Sequence, residues 1–343
     1  MAQSALGLAN ELVESGEDLT QDQAAAALAV IMAGEASDEQ IGALLLGLRE
    51  KGETVDELAG LAQTMRSLAT AVRPQRQDLL DTCGTGGGRR TFNISTTAAL
   101  IAAAAGCAVA KHGNRTATGL SGSADVLEAL GAVLELLPED EAALIDEIGF
   151  GFIFAPAHHA ATRYVVPVRK ALGVPTIFNL LGPLTNPAGA RRQLIGVPEP
   201  ASIELVAGAL TRLGTDHALV VSSEDGLDEI STSGRTQVVE LKGQQIDRYT
   251  LSPEQFGIEP ASDEQISGGG PKRNAEIIGE IFSGAPGPQR EIAALNAAAA
   301  IYVAGHAGSI AEGLDLAREA IDSGAGATTL ANYLKRSAEL AAQ

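Results

Sequence analysis

The sequence predicts an α/β fold: a large domain with a central, mostly parallel sheet flanked by helices, plus a small all-helical domain. Three observations carry this. Residues 1–72 hold three successive capping-box patterns, Thr20 with Gln23, Ser37 with Gln40 and Thr54 with Glu57. In each, a hydroxyl and a side chain three positions on can satisfy one another's backbone N–H groups at a helix start. After the second box Ile41, Leu44, Leu45 and Leu48 recur at helical spacing up to Gly52, and after the third Leu58, Leu61, Met65 and Leu68 do the same. From about residue 76 short apolar runs alternate with helical stretches, the pattern of parallel strands joined by helices.

In chain order, LLDTC, GCAVAK, AVLEL, FGFIFA and HALVVSS are predicted strands. ISTTAALIAAAAG, SADVLEALG, PEDEAALIDEIG and PASIELVAGALTRLG are the helices between them. HHAATRYVVPVRKALG reads as one further helix, and RTQVVELKGQQIDRYTL as a hairpin turning near Lys242-Gly243. Gly268–Gly270 reads as a loop leading into a helix over 274–282. The expected division places the helical domain at 1–72 with a later contribution from about 158–190, and the α/β domain at 76–157 and 191–343.

Composition narrows the partners. A net charge of −19 opposes non-specific binding to nucleic acid or anionic membranes. Trp is absent and aromatics make up 3% of residues, so base-stacking platforms are not expected. Cys83 and Cys107 show neither disulfide nor metal spacing, which fits a reducing cytoplasm. The start MAQSALGLANEL lacks the basic and apolar regions of a secretory signal, and no stretch reads as a transmembrane span.

The chemistry concentrates in DTCGTGGGRRTFNIST, residues 81–96. Gly84, Gly86, Gly87 and Gly88 let backbone N–H groups converge without Cβ interference. Asn93, Ser95, Thr96 and Thr97 add polar groups at a helix start, where anions are already favoured. The stretch therefore predicts a phosphate or pyrophosphate site. It is not a Walker loop, because Arg89-Arg90-Thr91 stands where Gly-Lys-Ser/Thr is needed, and Arg89 occupies the third glycine position of a dinucleotide fingerprint.

Two more loops follow predicted strands. Lys111, His112, Asn114 and Arg115 surround Gly113 and can bind phosphate oxygens and present an amide to a second substrate. Ser121 and Ser123 then open another helix. Asp228 and Glu229 suit Mg²⁺, which takes one or two carboxylates together with substrate phosphate oxygens. The adjacent His158-His159 pair has no ligand-spaced partner for zinc, and the five histidines suggest no nucleophilic triad. A helix-borne arginine, Arg163 or Arg169, could take a carboxylate bidentately, and spacing does not choose between them.

Together GTGG…TFNIST, KHGNR, SGSADVLEALG, VRKALG…IFNLLGPLTNP and GLDEI, in this order over nearly the whole chain, resemble the anthranilate phosphoribosyltransferase family. The resemblance implies a fold like that of the pyrimidine nucleoside phosphorylases, in a homodimer. It implies transfer of phosphoribosyl from 5-phosphoribosyl-1-pyrophosphate (PRPP) to the amine of anthranilate. Carried over by motif, Gly84, Thr85, Gly87, Gly88, Thr91, Asn93, Ile94, Ser95 and Thr96 would contact PRPP. Lys111, His112, Gly113, Asn114, Arg115, Gly119 and Ser123 would complete that grip. Gly84, Asn114 and Arg169 would hold anthranilate, and Ser95, Asp228 and Glu229 would bind Mg²⁺. No acid–base side chain is implied.

The chain departs from the family pattern in two places. Gly88 stands where the family has an acid, in a loop one residue shorter, and restoring Asp there is expected to alter Mg²⁺ dependence. Thr118-Gly119-Leu120 replaces a serine-rich turn with a lysine, while Arg89 and Arg90 are gained. The alternatives are a paralogue for another aromatic amine, a nucleoside phosphorylase, or a non-catalytic binding protein of the same fold.

Overall fold

The computed structural model describes residues 4–116 and 119–342, which form two compact units. The first comprises residues 1–70, 156–185 and 204–214, and the second 71–155, 186–203 and 215–343.

The first unit is helical. Ala5–Glu14, Gln21–Met32, Asp38–Lys51 and Val55–Leu68 are its leading helices, and the last three start with the capping boxes read from the sequence. Glu57 does more than cap. Fully buried, it accepts the N–H groups of Leu19 at 2.9 Å and Thr54 at 2.8 Å, and it pairs with Lys51 at 3.1 Å. One carboxylate thereby ties three segments, and its burial is offset by charge-assisted hydrogen bonds. The stretch read as one helix from His158 is broken into a 3₁₀ turn, Ala160–Tyr164, and a helix, Val166–Leu172, with Pro167 in its first turn. Proline supplies no N–H to a continuing helix but suits a new start.

The second unit is built on a seven-stranded sheet. Its strands are β1 (Leu79–Gly84), β2 (Ala108–Gly113), β3 (Phe150–Phe154), β4 (Arg192–Gly196), β5 (His217–Ser223), β6 (Thr236–Lys242) and β7 (Gln245–Leu251). Among the described residues the order is β3-β2-β1-β4-β5-β6-β7, with parallel pairing as far as β5 and an antiparallel β6–β7 hairpin at one edge. The Ala-rich helices Ile94–Ala104 and Pro288–Ala304 are buried almost throughout, since small side chains let helices and sheet approach closely.

Three expectations are corrected here. AVLEL forms no strand: Ala132 and Leu134 are buried on alternate positions, but Val133 N–H donates to Ser337 Oγ on the C-terminal helix Ala325–Ala341. Conversely, RQLIG is a central strand, β4, which the sequence reading passed over. The helix after Gly268–Gly270 begins at Pro271, three residues earlier than expected.

Candidate functional site

The loops after β1, β2, β4 and β5 share one rim of the parallel part of the sheet. The strand order reverses between β1 and β4, the position where such sheets bind ligands. At that reversal Gly84 and Gly196 are direct register partners. Asp228, from the loop after β5, lies over both. A Cβ on Gly84 would fall 2.2 Å from Asp228 Oδ2, on Gly88 2.6 Å from Asp228 Oδ1, and on Gly196 1.6 Å from the Asp228 carbonyl oxygen. Three bare backbones thus cradle one aspartate.

The glycine-rich loop turns through Gly86 and Gly87, both at positive φ, a region that costs side-chain-bearing residues energy. Gly86 N–H donates to Asp228 Oδ2 at 3.1 Å. The N–H groups of Gly87 and Gly88 donate to no partner among the described residues. Thr85 N–H is bound by the Gly196 carbonyl at 2.9 Å. Arg89 turns away to the next loop: it donates to the Asp225 carbonyl at 3.3 Å and pairs with the carboxylates of Asp225 and Asp263. Arg90 is exposed.

The helix Ile94–Ala104 starts beside this loop. Its N-cap Asn93 makes no side-chain cap; instead Glu229 Oε1 accepts the Ser95 N–H at 3.1 Å, putting a carboxylate at the positive end of the helix. Asn93 reaches elsewhere, to Ser121 and Asn274. Ile94 is a core side chain, and Thr96 is fully buried with its hydroxyl unpartnered among the described residues. Thr91 Oγ1 donates to the Phe92 carbonyl at 2.9 Å.

β2 alternates its chemistry. Lys111 points toward the helix start: 2% exposed, its Nζ donates to the Thr82 carbonyl at 2.5 Å and to Ser95 Oγ at 3.4 Å. Burial pulls its ammonium below the usual lysine range, against Asp81, Cys83 and Glu229. The next residue, His112, belongs to the opposite face and donates its N–H to buried Asp81 at 3.1 Å. Asp81 also accepts Asn186 Nδ2 at 2.8 Å, and burial raises its carboxyl.

The loop after β2 is held by acids. Arg115 pairs with Asp125 and Glu128 and lies 5.5 Å from the Phe154 ring centroid, so its guanidinium is already engaged. Asp125 Oδ2 takes the N–H groups of Gly122 at 2.7 Å and Thr116 at 3.1 Å. The Asn114 carbonyl accepts Ser123 Oγ at 3.2 Å, and Gly113 must stay bare because a Cβ would fall 2.4 Å from that hydroxyl. Gly119 N–H donates to Thr116 at 2.7 Å, Leu120 is 53% exposed, and Thr118 lies outside the described residues.

Asp228 and Glu229 are adjacent and half-buried. Burial, then the neighbouring Asp228 charge, pushes the Glu229 carboxyl up to about 8, and burial also raises Asp228. Asp228 Oδ1 and Glu229 Oε2 accept no hydrogen bond among the described residues. Hard oxygen donors crowded in this way fit a divalent cation. Among the described residues no three His, Cys, Asp or Glu side chains form a metal cage.

Arg169 belongs to the helical unit, on Val166–Leu172. Its Nη2 donates to Asn179 Oδ1 at 3.2 Å, and the guanidinium lies 5.5 Å from the Phe178 ring centroid. Arg163 is exposed and donates to the Tyr164 hydroxyl at 2.9 Å. Sequence reasoning missed Gly196, Asp81, Asn186 and Asn274 as parts of the site. Asn186 stood within the quoted NLLGPLTNP, whereas Gly196 became visible only once β4 was placed.

The profile of the glycosyl transferase family helical bundle domain matches residues 10–69, and that of its a/b domain matches 76–327. The anthranilate phosphoribosyltransferase of Symbiobacterium thermophilum is 51% identical over 91% of this chain and 92% of its own, and that of Methanosphaerula palustris is 51% identical over 95% and 96%. The crystal structure of the Thermus thermophilus enzyme superposes with a TM-score of 0.91 at 45% identity, covering 96% of this chain and 99% of that one. The Saccharomyces cerevisiae enzyme in complex with PRPP and Mg gives 0.90 at 26% identity, covering 98% and 99%.

Proposed function

The chain belongs to the anthranilate phosphoribosyltransferase family, and we infer from that premise how its own residues carry the reaction. The enzyme transfers the phosphoribosyl group of PRPP to the amine of anthranilate, giving N-(5-phosphoribosyl)anthranilate and pyrophosphate. The observation that carries the residue assignment is the convergence of a glycine loop, a helix N-terminus and two carboxylates at the reversal of strand order.

The free N–H groups of Gly87 and Gly88 and the start of helix Ile94–Ala104 would receive the phosphates of PRPP. Lys111 lies behind Ser95 and lends positive charge while fixing that hydroxyl. Asp228, Glu229 and Ser95 would hold Mg²⁺, which supplies charge neutralisation to the departing pyrophosphate. Asn114 and Arg169 are assigned to anthranilate, the guanidinium to its carboxylate. In the transfer the amine nitrogen forms a bond to C1 of the ribose, the C1–O bond to pyrophosphate breaks, and the nitrogen loses a proton. Aniline-type nitrogen is nucleophilic once positioned, so orientation and electrostatics suffice without an activated side chain. The protein is proposed to act in the cytoplasm as a homodimer, the assembly its resemblance implies.

Anthranilate fluorescence provides the test. With PRPP and Mg²⁺ it should fall with time, chelation of the metal should stop the fall, and added Mg²⁺ should restore it. Steady fluorescence beside a working control enzyme, or turnover of a nucleoside with phosphate instead, would overturn the assignment.

Gly88→Asp gives a second expectation. Its Cβ would lie 2.6 Å from Asp228 Oδ1 and 3.2 Å from the Gly226 carbonyl, and its carboxylate would join two already crowded ones. Rather than supplying a missing ligand it should displace Asp228 and lower kcat/KM for PRPP by about 10-fold or more across the Mg²⁺ titration. Wild-type activity at saturating Mg²⁺ would refute this.

A further inference from the structure

The second glycine loop, Gly268–Gly270, lies directly against the first. A Cβ on Gly268 would fall 2.4 Å from Phe92 N and 2.6 Å from both Phe92 Cα and Thr91 C, so only a bare backbone can back the TFN segment. Beside it Asn274, 1% exposed on the helix Pro271–Phe282, bridges the two loops: its Oδ1 accepts Gly269 N–H at 2.7 Å, and its Nδ2 donates to Asn93 Oδ1 at 2.8 Å.

This chain of bonds has a fixed polarity. The Gly269 N–H can only donate, so Asn274 must face it with its oxygen and turn its NH₂ to Asn93. Asn93 must then present its oxygen to Asn274. At its other end the Ser121 carbonyl, which can only accept, takes Asn93 Nδ2 at 3.1 Å, and Ser121 Oγ donates to Asn93 Oδ1 at 3.1 Å. With both lone pairs of Oδ1 engaged and one Nδ2 hydrogen committed, Asn93 retains one N–H, a donor.

We infer that Asn274 is a positioning residue for PRPP: through Asn93 it sets which way that amide faces and leaves a single N–H donor for an oxygen of the phosphoribosyl substrate. The inference rests on the phosphoribosyltransferase reading, and it places Gly268–Gly270 outside ligand contact, as a brace.

Asn274→Asp is nearly isosteric but reverses the polarity at Asn93, setting oxygen against oxygen. The wild type is first assayed for turnover with PRPP, Mg²⁺ and anthranilate; failure there sinks the functional reading and not the brace. In Asn274→Asp the KM for PRPP is expected to rise about 10-fold or more, with KM for anthranilate within about twofold and a cooperative melt retained. A folded variant whose PRPP KM stays within twofold of wild type overturns the inference, as does an equal rise in both KM values. Should that variant not fold, Asn274→Ala decides. It removes the donor to Asn93 Oδ1 while leaving both Ser121 bonds in place, and should raise the PRPP KM about threefold with no change for anthranilate; no change for either substrate overturns the inference.

Discussion

Gly196→Ala should lower kcat/KM for PRPP by about 10²-fold while leaving the sheet assembled. The added Cβ would stand 1.6 Å from the Asp228 carbonyl oxygen and 2.3 Å from its carbon, separations at which no packing adjustment of side chains helps. The loop carrying Asp228 and Glu229 must withdraw by more than 1 Å. A displacement of that size between reacting groups is worth about two orders of magnitude in rate. The strand itself has no reason to come apart, because the residues of β4 pair with β1 and β5 through backbone groups that alanine also has. Steady-state kinetics beside a thermal melt separate the two effects, and a folded variant with wild-type kcat/KM would contradict the geometry.

Lys111→Met carries the other large effect, and it should appear in stability as well as rate. The ammonium binds the Thr82 carbonyl and the Ser95 hydroxyl and faces the carboxyls of Asp81 and Glu229. Removing one member of a buried charged set costs about 3–5 kcal/mol. Turnover should drop about 10²-fold or more, since both the field behind the helix start and the Ser95 anchor disappear. Chemical denaturation and PRPP kinetics on one preparation are the measurements. An unchanged midpoint would mean that the ammonium is not paired as described.

Much of this site was legible because its parts obey local rules. Capping boxes declare themselves through two residues at fixed spacing, and all three in the helical unit form as written. A loop with adjacent glycines before a helix start, and two neighbouring carboxylates after a strand, likewise carry their chemistry in short words. What escaped depends on partners distant in sequence. β4 begins with Arg192 and buried Gln193, polar residues that hide a strand whose inside position is set by neighbours on both edges. AVLEL has the alternation of a strand but finds a helix hydroxyl in place of a strand partner. Arg89 looked like a cation gained beside the glycine loop, and Arg115 like a phosphate ligand in an acidic chain. Their acids, Asp225 and Asp263 for one and Asp125 and Glu128 for the other, lie from 10 to 174 residues away.

The outermost strand, β7, has a consequence of a different kind. Almost every residue from Gln245 to Thr250 is exposed, and among the described residues no further strand pairs with its free side. An open row of backbone donors and acceptors is a template on which another chain can add and begin an aggregate. Here the free edge carries Asp247 and Arg248 in mid-strand and follows a tight turn at Gly243. An incoming strand would have to strip water from those charges before gaining a single ladder bond, so the hairpin can stand in solvent without recruiting copies of itself.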